Sequence, residues 1–156
     1  MRAPLVAVVG GGTCTLEEVA WAVAVGRLVA ECGAVLVCGG LGGVMEAAAR
    51  GAKQAGGLTI GILPGSDPAA ANPHIDVAIA TGLGEMRNAL IVRAAGAVIA
   101  IGGGWGTLAE IALARRSETP VVGLHDAFTA GVDIPRVDRP DEAVRWALEQ
   151  AQRREV

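Results

Sequence analysis

The sequence of 156 residues lacks the features that mark membrane and secreted proteins. No apolar run approaches the ~18 residues that a membrane-spanning helix needs. The apolar stretch near the N-terminus covers only residues 5–9 before a run of glycines, which indicates a first strand rather than a signal peptide. We therefore predict a cytoplasmic protein with no membrane partner.

Cysteine and histidine are also scarce. The three cysteines, Cys14, Cys32 and Cys38, form no C-x-x-C pair, and the sequence around Cys32 and Cys38 is apolar. This pattern favours buried free thiols over disulfides or zinc ligands. His74 and His125 are far apart in the chain and belong to no metal-binding motif, so we predict no metal site.

Lysine occurs once, and the basic residues do not cluster. Of the 13 basic residues only Lys53 is a lysine, and the net charge is −3. Without a basic patch, we predict no nucleic-acid partner. Schiff-base chemistry would have to use Lys53, but its polar sequence ahead of two glycines is typical of a solvated helix end.

Short apolar runs alternate with segments of helical periodicity along the whole chain. The runs predict strands at 5–9, 34–38, 58–63, 75–80, 97–101 and 120–124, with a short seventh strand at 131–134. The periodic segments predict helices at 16–32, 44–55 and 85–95. A fourth helix follows the glycine turn after the fifth strand and ends at residue 116, and a fifth covers 140–152 with Asp138 as its cap. This alternation predicts one Rossmann-like α/β domain over residues 1–156, a three-layer, doubly wound fold with a mostly parallel sheet of 6–7 strands.

The stretch 97–116 organises the predicted site, because its apolar strand, glycine turn and helix would bring backbone N–H groups together at a helix start. Two other strands also end in glycines, and ligands of such sheets bind at the carboxyl ends of the strands. Neither G-x-G-x-x-G with its acidic partner nor a P-loop motif is present. Two interpretations of these glycines stay open: their backbone N–H groups bind an anion, or they only allow the chain to turn tightly. They are Gly10, Gly11, Gly12, Gly39, Gly40, Gly42, Gly43, Gly102, Gly103, Gly104 and Gly106.

Side chains of the central turn have two interpretations. Thr107 and Glu110 have the spacing of a capping box, as do Thr15 and Glu18, so Thr107 either caps a helix or helps to bind an anion. Trp105 is a large side chain in a glycine turn. It would cover a base or sugar of a ligand, or pack against a second subunit.

Arg87 and Glu110 are the candidate catalytic residues, since both are predicted near helix starts at one edge of the sheet. A surface salt bridge of Arg87 with Glu85 or Glu110 is the structural alternative. We expect the helix N-terminus to favour the ionised form of Glu110. A carboxylate beside a phosphate suits cleavage of an N-glycosidic bond, because positive charge develops on the sugar.

Three segments together, VVGGG at the start, 39–65 and 82–112, resemble the LOG-like superfamily of Rossmann-type proteins. The resemblance covers residues 5–124 and includes an upstream arginine and a G-G-x-G-T-x-x-E loop. It implies a phosphoribohydrolase that releases a base from a nucleoside 5′-monophosphate, with Arg87 and Glu110 as the catalytic pair. It also implies a phosphate loop of Gly103, Gly104, Gly106 and Thr107. Nothing supports the older label of lysine decarboxylase for such proteins.

Three positions differ from the pattern of those enzymes. Asn88 replaces a lysine, Gly102 replaces the loop proline, and Glu46 replaces a glycine. These differences resemble a sister subgroup that includes molybdenum-cofactor carriers. The alternative function is therefore a non-catalytic binder or carrier of a nucleotide or phosphorylated cofactor, at a site that includes Asn88 and Trp105. We predict no required cofactor, and a homodimer or larger homo-oligomer formed through the apolar faces of helices 16–32 and 85–95.

Overall fold

A computed structural model describes residues 2–125 and 129–154. Seven parallel strands form one sheet in the order β4-β3-β2-β1-β5-β6-β7. The strands are β1 Leu5–Gly10, β2 Val35–Cys38, β3 Thr59–Leu63, β4 Val77–Ala80, β5 Ala97–Ile101, β6 Val121–Leu124 and β7 Arg136–Val137. The helices are α1 Leu16–Glu31, α2 Val44–Gln54, α3 Asn88–Ala94, α4 Trp105–Arg116 and α5 Pro140–Arg154.

Helices cover both faces of the sheet, which confirms the predicted three-layer fold. Val6 and Val8 of β1 belong to a core shared with α1, α2 and α5. The alternate residues Ala7 and Val9 belong to a second core with α3 and α4. Because successive side chains of a strand point to opposite faces, these two cores lie on opposite sides of the sheet. Strand β5 is buried along its whole length, as the continuous apolar run predicts.

The strand order places the switch point between β1 and β5. From β1 the chain builds outward through β2 and β3 to β4, then returns to add β5 on the other side of β1. Connections from these two neighbouring strands leave in opposite directions, so a crevice opens between their carboxyl ends. The glycines that follow β1 and β5 lie at this crevice.

The apolar character of α1 is accounted for in part by packing within the chain, while the predicted subunit contact stays a prediction. Gly26 and Gly51 allow the backbones of α1 and α2 to touch: a Cβ on Gly26 would lie 1.9 Å from the carbonyl oxygen of Ala48. A Cβ on Gly51 would lie 2.0 Å from the carbonyl oxygen of Val23. Helix α1 thus buries its surface against α2 and against α5, which shares the same core.

The predicted strand at 131–134 is wrong. Strand β7 begins at Arg136, because the N–H of Ile134 is already bonded to the carbonyl of Val132 within a turn. The N–H of Gly123 in β6 instead reaches the carbonyl of Pro135. The sequence signal was the apolar character of Val132 and Ile134, which pack into the core from a turn.

Two predicted helix starts also change. The helix predicted at 85–95 begins as a 3₁₀ turn, Gly84–Arg87, and only Asn88–Ala94 is α-helical. Asp138 lies two residues before the first residue of α5. The carbonyl of Arg139 accepts the first helical hydrogen bond, from Ala143, while the Asp138 carbonyl lies 2.9 Å from the His125 ring.

The three cysteines are free thiols, as predicted. Cys38 is buried and Cys14 half-buried, but Cys32 is exposed at the end of α1, so the prediction of burial is wrong for Cys32. Lys53 is solvated in the last turn of α2 and pairs with Asp76 at 2.8 Å. Within the described residues, the helices are too short or too polar to cross a membrane.

Candidate functional site

The glycine turns after β1, β2 and β5 meet at the switch point. A Cβ on Gly11 would lie 3.7 Å from the Cα of Gly103, so the turns after β1 and β5 are in contact. The N–H of Val44 donates to the carbonyl of Gly11 at 3.0 Å, which joins the turn after β2. Gly43 allows this approach, because its φ is +67° and a Cβ would lie 2.2 Å from that same carbonyl oxygen.

A cavity of about 350 Å³ opens between the turns after β1 and β5. Its described walls consist of Gly10, Gly11, Gly12, Thr13, Gly103, Gly104, Gly106 and Thr107. None of these side chains is charged, so the polar groups available to a ligand are backbone amides and two hydroxyls. Helix α4 starts at this wall, and the N–H groups of a first helical turn have no partner within the helix. Such a wall suits an anion of the size of a phosphate.

Thr107 and Glu110 do not form the capping box that their spacing predicts. Helix α4 begins at Trp105 with Gly104 as its N-cap, and no side-chain cap is present among the described residues. Thr107 therefore lies within the first turn, where its buried side chain packs against Gly103. Glu110 lies in the second turn. In the part of the chain that the structure describes, no side-chain cap therefore competes with a ligand for the amides of this turn.

Arg87 and Glu110 are brought together by the fold, but inside the protein. Their exposed fractions are 8% and 7%. The Arg87 guanidinium packs on Gly39, where a Cβ would lie 2.8 Å from Nη2, and Nη1 donates to the side chain of Asn88. The Nε of Arg87 is buried without a hydrogen-bond partner among the described residues. The predicted surface salt bridge is wrong, since Arg87 is buried and its guanidinium donates to Asn88 rather than pairing with Glu85 or Glu110.

Burial controls the ionisation of this cluster. It raises the pKa of Glu110 to about 7, against a smaller lowering by the charge of Arg87. Burial also lowers the pKa of Arg87 and, at the end of β2, raises the pKa of the Cys38 thiol to about 11. The expectation that the helix N-terminus keeps Glu110 ionised is wrong, because Glu110 lies beyond the first turn, where the effect of the dipole fades.

Several predicted residues lie beside the cavity rather than in its wall. Trp105 is 79% exposed, between the lining residues Gly104 and Gly106. Asn88 is buried and bonded to Arg87. The glycines after β2 serve packing: Gly39 faces Arg87, Gly40 faces Leu63, and Gly42 and Gly43 face the turn after β1.

Sequence reasoning missed the contact between Glu18 and Gly102. A Cβ on Gly102, whose φ is +55°, would lie 2.6 Å from Cδ of Glu18. Glu18 therefore occupies the space of any side chain at this position, and the positive φ is closed to the proline of LOG-type loops. The spacing of Thr15 and Glu18 explained Glu18 fully as a capping residue, and the N-cap bond is present at 3.1 Å, so no signal in the sequence pointed to this contact.

Residues 3–152 match the model of the SLOG cluster4 family. The chain belongs to the SLOG cluster4 family. This assignment confirms the predicted LOG-like fold.

Two solved structures resemble this SLOG cluster4 protein over nearly their whole length. The molybdenum cofactor binding protein from the phototrophic bacterium Rippkaea orientalis is 38% identical, with a TM-score of 0.89 over 96% of this chain and 98% of that one. The molybdenum cofactor carrier protein from Chlamydomonas reinhardtii is 34% identical, with a TM-score of 0.86 over 97% and 99%. An uncharacterized protein of Archaeoglobus fulgidus is 42% identical over 149 residues, which are 95% of this chain and 97% of that one. The predicted subgroup close to molybdenum-cofactor carriers is thereby confirmed.

Proposed function

We propose that this SLOG cluster4 protein binds molybdenum cofactor, or a closely related phosphorylated compound, and carries it without altering it. The observation that supports this function best is the uncharged cavity at the start of α4, between the turns after β1 and β5. Similarity over the whole chain to a binding protein and a carrier protein for this cofactor supports the same function.

The size and chemistry of the cavity fit the phosphate of such a ligand. Its volume of about 350 Å³ is at the lower end of the ~300–1,000 Å³ typical of small-molecule sites. Amides at a helix start bind a phosphate through both hydrogen bonds and the helix dipole. The rest of the ligand then lies outside this cavity, where a receiving protein can reach it.

The positions of Arg87 and Glu110 favour binding over hydrolysis. Cleavage of an N-glycosidic bond needs a carboxylate beside the sugar carbon that becomes positive. Both side chains are more than nine-tenths buried, and neither belongs to the described wall of the cavity. In the proposed carrier, this pair holds together the segments that form the site and takes no part in a reaction.

Self-association and location also belong to the proposal. Leu83, Met86 and Leu90 follow one another at helical spacing and are exposed by 50%, 74% and 41%. This apolar surface supports a homo-oligomer formed through the segment before and along α3. Sedimentation at micromolar concentration should give at least a dimer, and a monomer would refute this. A cytoplasmic location remains a prediction from the sequence.

A single charge at the cavity tests the proposed ligand site. Gly106 lines the cavity in the first turn of α4, and a Cβ there meets no atom within 4 Å. Gly106→Asp places a negative charge beside the phosphate, while Gly106→Asn adds a side chain of nearly the same shape without charge. An acidic residue in a first helical turn favours the helix, so the Asp variant should fold at least as well.

The readout is the molybdenum and the oxidised, fluorescent pterin that purify with each protein from cells that make the cofactor. Two charges about 4 Å apart near a protein surface repel by roughly 4 kcal/mol, and exposure to water reduces this. We expect Gly106→Asp to lose at least tenfold of the bound pterin and Gly106→Asn to keep most of it. Equal loading of both variants would refute the site, and wild-type protein that carries neither pterin nor molybdenum would refute the function.

A further inference from the structure

A second cavity, of about 430 Å³, lies next to the glycine cavity. Thr13 lines the glycine cavity, and Thr15, two residues later, lines the second cavity. Glu18 of the second cavity touches Gly102, which precedes Gly103 in the wall of the glycine cavity. The two cavities therefore lie on either side of a short boundary formed by residues 13–15 and by the contact of Glu18 with Gly102. The aromatic and charged lining residues of the second cavity are Trp21, His125, Glu17, Glu18, Arg136 and Asp138.

One wall of the second cavity is flat and aromatic. The rings of Trp21 and His125 stack with centroids 3.5 Å apart and planes 8° apart. His125 is held there although its φ is +52°, and its Nε2 lies 2.9 Å from the Asp138 carbonyl oxygen. A fixed pair of stacked rings is the kind of surface on which a planar heterocycle packs.

The Glu18 carboxylate has no partner among the described residues, although it is half-buried. A capping box would return this carboxylate to the N–H of Thr15, but only the bond from the Glu18 N–H to the Thr15 hydroxyl is present. The carboxylate instead lies against Gly102, where it takes the space of a Cβ. A carboxylate beside a phosphate site is repelled by it, and hydrogen bonds that the carboxylate accepts from the same ligand would offset this repulsion.

We infer that the second cavity takes the heterocycle of the phosphorylated ligand and that Glu18 selects it. A carboxylate accepts two parallel hydrogen bonds from neighbouring N–H groups on the edge of a ring. The 2-amino-4-oxopyrimidine edge, which guanine and pterin share, offers such a pair, while the corresponding edge of adenine presents a ring nitrogen that accepts. Glu18 is thus a specificity-determining residue. This inference rests on the proposed function, since it places the phosphate in the glycine cavity.

Titration calorimetry with four probes tests this selection: guanosine monophosphate, adenosine monophosphate, 6-hydroxymethylpterin phosphate and inorganic phosphate. We expect the guanine and pterin compounds to bind about tenfold to a hundredfold more tightly than adenosine monophosphate. Glu18→Gln should remove most of this preference and leave the affinity for inorganic phosphate unchanged. Glu85→Gln removes one charge from an exposed position at the same edge and should change nothing. If guanosine monophosphate binds more tightly than the pterin phosphate, the ring of the ligand is a guanine. If the pterin phosphate binds more tightly, the ring is a pterin.

The outcomes separate this inference from the proposed function. Equal affinity of wild-type protein for guanosine and adenosine monophosphate overturns the role of Glu18, and this comparison needs no variant. The role of Glu18 is also overturned if Glu18→Gln still prefers guanosine to adenosine monophosphate. It is overturned as well if this substitution weakens the binding of all four probes equally. If the four probes bind but Gly106→Asp does not weaken them, the phosphate site itself is wrong, and the proposed function fails with it.

Discussion

The ionisation of Glu110 gives a prediction that depends on burial outweighing the charge of Arg87. Its pKa is about 7 in the folded protein, against an ordinary value of 4.5. Between these values the folded protein keeps a proton that the unfolded chain has released. Raising the pH through this window therefore favours unfolding. The stabilising contribution of protonated Glu110 is fully present below pH 4.5 and is lost as the pH rises through about 7.

The size of this effect follows from the same pKa values. One pKa unit corresponds to 1.36 kcal/mol, so the free energy of unfolding should fall by roughly 2–3 kcal/mol between about pH 5 and 8 through this group alone. Glu110→Gln keeps the size of the side chain and cannot ionise. The free energy of unfolding of this variant, taken relative to that of the wild type, should therefore rise by roughly 2–3 kcal/mol over the same pH range. Other titrating groups contribute equally to both proteins and cancel in the difference.

Urea denaturation at several pH values from about 5 to 8, followed by tryptophan fluorescence, measures this difference. Glu85→Gln is the matched control, because Glu85 is exposed and its substitution should give a difference that does not vary with pH. The free energy of unfolding of Glu110→Gln relative to the wild type could instead stay constant with pH, or fall at high pH. Either result would show that Glu110 is ionised in the folded protein. The positive charge of Arg87 would then outweigh burial, and the reasoning would be refuted.

Three further predictions concern the framework of the site. Thr15→Ala should lower the free energy of unfolding by about 1 kcal/mol in urea denaturation, because it removes the N-cap of α1, and an unchanged stability would contradict this role. Gly26→Ala should cost about 2 kcal/mol or more in the same assay, since its Cβ would lie 1.9 Å from the Ala48 carbonyl oxygen and the helices must separate. In the folded protein a thiol reagent should label Cys32 and spare Cys38 by mass spectrometry, and equal labelling would contradict the burial of Cys38.

The sequence predicts the layers of the fold well, because their signals are local. Short apolar runs between segments of helical periodicity indicate strands of a parallel sheet, and six of the seven strands lie where these runs are. The strand at 131–134 fails because its apolar residues pack into the core from a turn. Periodicity reports burial, and a buried turn produces the same signal as a short buried strand.

Side-chain roles at the site were harder to predict, because they depend on where a helix starts. Thr15–Glu18 and Thr107–Glu110 have the same spacing, yet only Thr15 is an N-cap. At α4 the glycines allow the helix to start earlier, at Trp105, which moves Glu110 into the second turn. The burial of Glu110 beside Arg87 joins segments that are distant in the sequence, so no local pattern could reveal it.

The contact between Glu18 and Gly102 connects the sequence differences with the function. At position 102 the positive φ is closed to proline, and any Cβ would meet the Glu18 carboxylate, so the glycine and the glutamate belong together. Meanwhile Glu110, the carboxylate expected to act on a sugar, is buried. The carboxylate in contact with the glycine turn therefore comes from α1 and faces the second cavity. In the proposed carrier, the carboxylate at the glycine turn is thus Glu18, placed to accept hydrogen bonds from a ring, while Glu110 stays buried.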